Sequence, residues 1–402
     1  MNSTDQPNWL NRDVLLISFS AFFADLGYQG VFAAIPIVLV QIEQAPPYVY
    51  GVVMAFSFGL GSLLSYAGGI AGDRYGRKKV AILGNSLIPL LSFSGLPSTP
   101  LASGTLFAGG WISRNFRTPA RRAMLVEATN KDTVSKAFGF LHALDVGGGF
   151  LSALLVVVLL AVGFTASKVV LYSVIPLIAS TLVLVYVKRG GAGRSGGSPK
   201  TVDVSPDAGS DKRVFRGLLV ATAIFGLSTY SLGFPVLTIL KEGLSDALGV
   251  ATYAMYLGSS AIAGYALGST RIHPLKATAL AGYGLASVSS LAIAAAYFLK
   301  LPFATIYVAT AGLGVSAAAA ETFEPVLVSR LVKAANLSKG MGSLGAYRSL
   351  GLFVTNLVMG FIFTFSVFDS YVYAALSAAA ACIILLYVAK PVRKQTPEAV
   401  AN

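Results

Sequence analysis

Tyr48 to Ala71 runs for 24 residues without a charged side chain, and Val80 to Leu96 for 17 more. Such runs leave little choice of fold. A helix rises 1.5 Å per residue, so roughly 20 mostly apolar residues cross the hydrocarbon core of a bilayer. In lipid each backbone polar group must be satisfied within its own segment, which favours helix for a run of this length. The rest of the chain agrees: 55% of the 402 residues are hydrophobic and the mean hydropathy is +0.71. The expected fold is an all-α integral membrane protein. The apolar stretches place twelve spans near 13–40, 48–72, 79–97, 101–126, 134–162, 167–187, 214–240, 250–270, 276–299, 302–328, 341–366 and 369–389.

The net charge of +13 does not point to nucleic acid, because the bases alternate in place. Lys168, Lys241 and Lys300 fall in loops assigned outside. Arg74, Arg77, Lys78, Lys79, Arg121, Arg122, Lys131, Lys136, Lys188, Arg189, Lys212, Arg213, Arg271, Lys276, Lys333, Lys339, Arg393 and Lys394 fall at or beyond the opposite ends. By the positive-inside rule those ends, and both termini, are cytoplasmic in a cell membrane. The start "MNSTDQPNWLNRD" lacks the basic n-region of a signal peptide, so the first span is expected to stay. Cys382 is alone and His142 and His273 are the only histidines, so neither a disulfide nor a transition-metal site is expected. No motif for hydrolysis, redox or phosphate cradling is present, and no cofactor is expected. His142 is expected as a hydrogen-bonded packing residue.

Lys188 to Arg213 is rich in Gly, Ser, Pro and charge and has the composition of a flexible linker. It divides the chain into residues 1–187, a linker over 188–213, residues 214–390 and a tail over 391–402. Sliding Pro119–Leu151 onto Pro325–Leu357 superposes Pro119/Pro325, Asn130/Asn336, Gly139/Gly345 and Leu144/Leu350 without a gap, and Pro36 matches Pro235 late in the first span of each set. A duplicated six-helix unit is indicated, a plan on which transporters are commonly built.

Between the second and third spans, "GGIAGDRYGRKKV" gathers one acid and four bases in 13 residues of a chain only 12% charged. Its order is Gly69, three residues, Asp73-Arg74, one residue, Gly76-Arg77-Lys78-Lys79. This resembles the cytoplasmic signature loop of the major facilitator superfamily. Arg114 to Asp145 is similar to the fourth-to-fifth-span region of a prokaryotic branch of that superfamily, with Arg121-Arg122 where the branch has Arg-Asp. The resemblance implies two six-helix halves related by a pseudo-twofold, and a secondary transporter working by alternating access, not an enzyme. It also implies that the first, fourth, seventh and tenth spans line a central cavity. Gly69, Asp73, Arg74, Gly76 and Arg77 are then a cytoplasmic latch, with Gly68, Gly69 and Gly72 allowing close helix approach.

A charge near the bilayer centre costs at least about 2.5–3.5 kcal/mol, so each one asks for a partner or a function. Asp25 lies about 12 residues into the first span and Asp145 about 11 into the fifth, roughly 16–18 Å deep. Arg114, Arg117 and Arg121 share one helix face, and in the tenth span Glu321 and Glu324 lie three residues apart. Arg348 falls in the eleventh. Asp25, Arg114, Arg117, Asp145, Glu321, Glu324 and Arg348 are the expected substrate and proton cavity, with the basic and acidic stripes meeting across it. The late fifth span lacks a Gly-Pro pair, and Gly147, Gly148 and Gly149 are candidates for a bend in its place. The partners expected are a small-molecule substrate, protons and the lipid bilayer, with the chain acting as a monomer. Proton-coupled export of a drug or metabolite is the first expectation, and proton-linked uptake or uncoupled facilitation of an organic anion is the alternative. A non-transporting receptor or scaffold is the distant one.

Overall fold

The computed structural model describes residues 9–129, 133–188, 209–268, 272–332 and 337–388. Most of the expected linker, the tail, and Lys131, Arg271, Lys333, Arg393 and Lys394 lie outside them. Among the described residues all regular structure is helical, and the helices fall into twelve units. These are α1 (Arg12–Ile42), α2 (Pro47–Tyr75), α3 (Arg77–Leu87, then Leu90–Phe93), α4 (Pro100–Glu127), α5 (Val134–Ala161) and α6 (Ala166–Val185). They continue as α7 (Gly209–Gly226, then Gly233–Lys241), α8 (Asp246–Gly268), α9 (Pro274–Phe298), α10 (Ala304–Leu331), α11 (Leu337–Phe365) and α12 (Val367–Val388).

Eight units, α1, α2, α5, α6 and α9 to α12, are long and apolar enough to cross a membrane by length and composition. The others show why hydropathy alone passes them over. Helices α3 and α7 are interrupted, α4 carries four arginines, and α8 is diluted by Gly, Ser and Tyr. The sequence expectation of a multi-pass all-α membrane protein holds.

Within the first six units α1 packs on α5 and α6, and α4 on α2 and α3. Within the last six α8 packs on α10, α9 on α10 and α12, and α7 on α11 and α12. Glycine sets the tightest crossings: a Cβ on Gly68 would run into the backbone carbonyl of Phe116, and one on Gly72 would press on Ala120. Gly68 and Gly72 thus let α2 lie directly on α4, as expected, and Gly69 faces Pro119 with ordinary clearance. Pro119 and Pro325 both lie inside their helices, consistent with the duplicated unit.

The two sets meet on one side only. Gly51 of α2 lies against Gly360 of α11, Tyr48 N donates to Thr364 Oγ1 at 3.1 Å, and the Tyr50 and Ser231 hydroxyls are 2.5 Å apart. Tyr253 donates to Gln29 Oε1 at 2.5 Å, and Phe150 covers Gly258. All these residues lie at mid-depth or toward the end away from Asp73 to Lys79. Toward the loop end the described residues of the two sets no longer pack on one another. A Cβ on Gly139, Gly147, Gly342 or Gly345 would meet nothing, and Tyr66, Tyr265 and Leu350 are exposed. The molecule is closed at the far end and open at the loop end.

Candidate functional site

Between the two sets, above the closed far end, is a cavity of about 290 Å³. Among the described residues the first set contributes Phe32 and Phe58 to it; the second contributes Tyr230, Tyr256, Asn356, Glu321 and Arg348 among others. Phe58 sits on a wide π-type turn of α2, Ala55–Leu60, and such turns recur at functional sites because they reset the facing of the residues they contain.

Glu321 and Arg348 are the charged groups on the cavity wall. Glu324, one helical turn beyond Glu321, is fully buried behind it. The Arg348 guanidinium pairs with one carboxylate oxygen of Glu324, and Tyr283 Oη donates to the other at 2.8 Å. Thr222 Oγ1 lies 3.1 Å from Tyr283 Oη, which ties α7, α9, α10 and α11 into one network. Charge-assisted bonds of this kind fix helix positions as well as neutralising charge.

A second buried cluster occupies the first set, away from the cavity wall. Asp25 is 4% exposed and accepts a hydrogen bond from Tyr28, while its Oδ2 has no protein partner. Arg114 does not pair with Asp25. It donates to Tyr28 Oη at 3.2 Å and to Asn115 Oδ1 at 3.2 Å, and it lies over the rings of Tyr28 (4.9 Å) and Trp111 (5.1 Å). Arg121 meets Asp145 at 3.4 Å. Arg117, 1% exposed, has no partner on Nε or Nη1. The residues singled out in sequence therefore separate into two groups. Glu321, Glu324 and Arg348 gather at the cavity, while Asp25, Arg114, Arg117 and Asp145 gather with Arg121 inside the first set. The expected meeting of Arg114 or Arg117 with Glu321 or Glu324 does not occur in this conformation, because each charge stays within its own set.

The two ion pairs are related. Arg121–Asp145 joins α4 to α5, and Glu324–Arg348 joins α10 to α11, each across 24 residues of sequence. The offset that overlays Pro119 on Pro325 brings Glu324 opposite Thr118 and Arg348 opposite His142. Equivalent helix pairs thus carry one ion pair each, of reversed polarity and displaced by one turn. His142 itself is exposed, with its expected packing role unfilled.

At the signature loop, Arg77 bridges Asp73 (3.1 Å) and Glu127 at the end of α4 (2.6 Å). Arg74 lies over the Tyr75 ring. Gly76 has φ of +100°, which an L side chain rarely adopts, so the turn between α2 and α3 requires glycine. These bonds join elements of one set. Helix α5 runs unbroken through Gly147 to Gly149; a Cβ on Gly148 would strike Phe22 of α1, so this glycine serves close packing and not a bend.

Sequence reasoning missed the aromatic partners: Tyr28 and Trp111 in one cluster, Tyr283 in the other, and the cavity rings. Among 18 tyrosines and 24 phenylalanines nothing marked them, except that Tyr28 lies one turn from Asp25 and Trp111 one turn from Arg114.

Solved structures with the same fold are transporters. A POT family transporter in complex with 5-aminolevulinic acid aligns with a TM-score of 0.76 at 12% identity, over 94% of this chain and 97% of that one. The nucleoside transporter NupG, as a point mutant, aligns at 0.77 and 10% identity, over 94% and 100%. A D-xylose–proton symporter aligns at 0.75 and 12% identity, over 93% and 96%. No curated protein sequence matches significantly. The model of the Major Facilitator Superfamily matches residues 17–273. Well over half of the sequence carries that match and the fold agrees along nearly its whole length, so the chain belongs to the major facilitator superfamily and is a secondary transporter.

Proposed function

We propose that the chain moves a small organic solute across the cell membrane by alternating access, coupled to protons. Export of a drug or metabolite is the first direction to test, and uptake of an organic anion the second. The observation that carries the reading is the one-sided meeting of the two sets. A cavity sealed at the far end by Gly51/Gly360 and Tyr50/Ser231 and open toward the charged loop is one of the two states an alternating carrier needs. On the positive-inside argument the loop end is cytoplasmic, and so are both termini. The reading treats 1–187 and 214–390 as rocking halves, with 188–213 as linker, 391–402 as tail and a monomer as the working unit. Asp73, Arg74 and Arg77, with Gly69 and Gly76, form the loop that keeps α2, α3 and α4 moving as one body.

Asp25 is the proposed proton carrier. Among the described residues it is buried with the Tyr28 hydroxyl as its one hydrogen-bond partner and an oxygen left over. A lone buried carboxylate is costly, and taking up a proton relieves that cost. Glu324 is less suited, because Arg348 already compensates it. One protein of the same fold is named as a proton symporter, which supports coupling of this kind.

The test uses purified protein in liposomes with a pH-sensitive dye inside, and a solute found by thermal-shift screening of anionic, neutral and cationic compounds. Solute movement by the parent should be accompanied by a lumenal pH change. Asp25→Asn should still exchange labelled for unlabelled solute but move no protons. Equal proton movement in parent and variant would remove Asp25 from the role.

A further inference from the structure

The charges on the cavity wall do not balance. Arg348 is committed to Glu324, and Glu324 is fully buried. Glu321 is exposed on the same wall and makes no hydrogen bond or ion pair among the described residues. The three groups together leave one negative charge facing the cavity. Among the described residues the opposite half places no cation on this wall, since its contribution there is Phe32 and Phe58. Arg114 and Arg117, which sequence placed opposite Glu321, are held away in their own cluster. Five aromatic residues line the same cavity as this carboxylate, Phe32, Phe58, Phe225, Tyr230 and Tyr256.

A cavity lined by one uncompensated carboxylate and several aromatic side chains is complementary to one ligand chemistry. An ammonium is attracted both by the carboxylate and by the ring quadrupoles, which contribute about 0.5–2 kcal/mol per favourable contact when desolvated. An anion would meet Glu321 unscreened, and a neutral solute would leave it unpaired. We infer that the cavity takes a small organic monocation, with an amine or quaternary ammonium head against Glu321 and an aryl or alkyl body along the rings. The volume, about 290 Å³, is at the small end of ligand pockets. This inference rests on the proposal that the cavity is the transport site, and names the substrate class that site selects.

The experiment compares three probes of matched size on the purified full-length chain: phenethyltrimethylammonium, 3-phenylpropionate and 3-phenylpropanol. The quaternary head keeps its charge at every pH, so protonation of the ligand does not enter. Binding is read from tryptophan fluorescence, because the Trp111 ring centroid lies 4.5 Å from that of Phe58 on the wall, and from the thermal shift. The cation should bind at least about tenfold more tightly than the other two, and Glu321→Gln should remove about that factor. The preference in the parent protein tests the inference even if the variant folds poorly. Equal or tighter binding of 3-phenylpropionate would overturn it, as would failure of all three probes to bind. So would an unchanged cation affinity in a folded Glu321→Gln protein. Binding in detergent does not depend on transport. A cation held through Glu321 but never moved in liposomes would therefore sink the transport reading and leave the inference standing, while proton-linked movement of anions alone would do the reverse.

Discussion

Glu324 illustrates how a buried charge can be legible while its role is not. Its cost in a membrane helix made it a candidate from sequence, together with Asp25, Arg114, Arg117, Asp145, Glu321 and Arg348. The choice of partner depends on which turn of the neighbouring helix faces it, and sequence does not fix that to within one turn. Glu324 therefore pairs sideways with Arg348 on α11 rather than across the cavity with α4. Removing one member of a buried pair strands the other, which typically costs about 3–5 kcal/mol, whereas replacing both by apolar groups is far milder. Glu324→Gln should accordingly lower the melting temperature of the purified protein markedly, and Glu324→Gln combined with Arg348→Met should recover most of the loss. Additive losses in the double variant would mean that the two residues are not energetically coupled. The aromatic partners were illegible for a different reason. A tyrosine that donates to Asp25 and one that faces lipid read alike when half the chain is apolar.

At the scale of helices, the spans and the repeat were legible in the chain and the packing was not. Uncharged runs located the spans, and the gapless match around Pro119 and Pro325 revealed the repeat. The wide turns at Ile37–Ile42, Ala55–Leu60 and Ala277–Gly284 were invisible, because a single extra residue in a turn leaves no mark on a helix that is apolar all round. Two glycines on α2 look equivalent in sequence and differ in consequence. Gly68 packs within one half, against Phe116, while Gly51 packs between halves, against Gly360. Overpacking a tight contact costs about 1–3 kcal/mol. Gly68→Val should lower thermal stability without changing the balance between access states. Gly51→Val should bias the protein away from the state closed at the far end, read as a longer spin-label distance across that end. If both variants behaved alike, the contact between Gly51 and Gly360 would have no special part in closing the far end.

For the molecule as a whole, the family, the helical plan and the charged loop were readable from the chain, but not the conformation. Which end is closed follows from contacts between residues some 100 to 300 positions apart, such as Tyr48 with Thr364 and Tyr50 with Ser231, and no local pattern encodes them. Alternating access is the central claim, and it is tested most directly by measuring both ends together. In a Cys382→Ser background, spin labels at Lys136 on α5 and Tyr265 on α8 report the loop end, and labels at Val162 and Ser245 report the far end. Distance distributions are recorded from acidic to basic buffer. The account predicts two populations for each pair, the loop-end pair shortening as the far-end pair lengthens, with Asp25→Asn abolishing the response to pH. A single unchanging distance for each pair, or both ends opening and closing together, would contradict it.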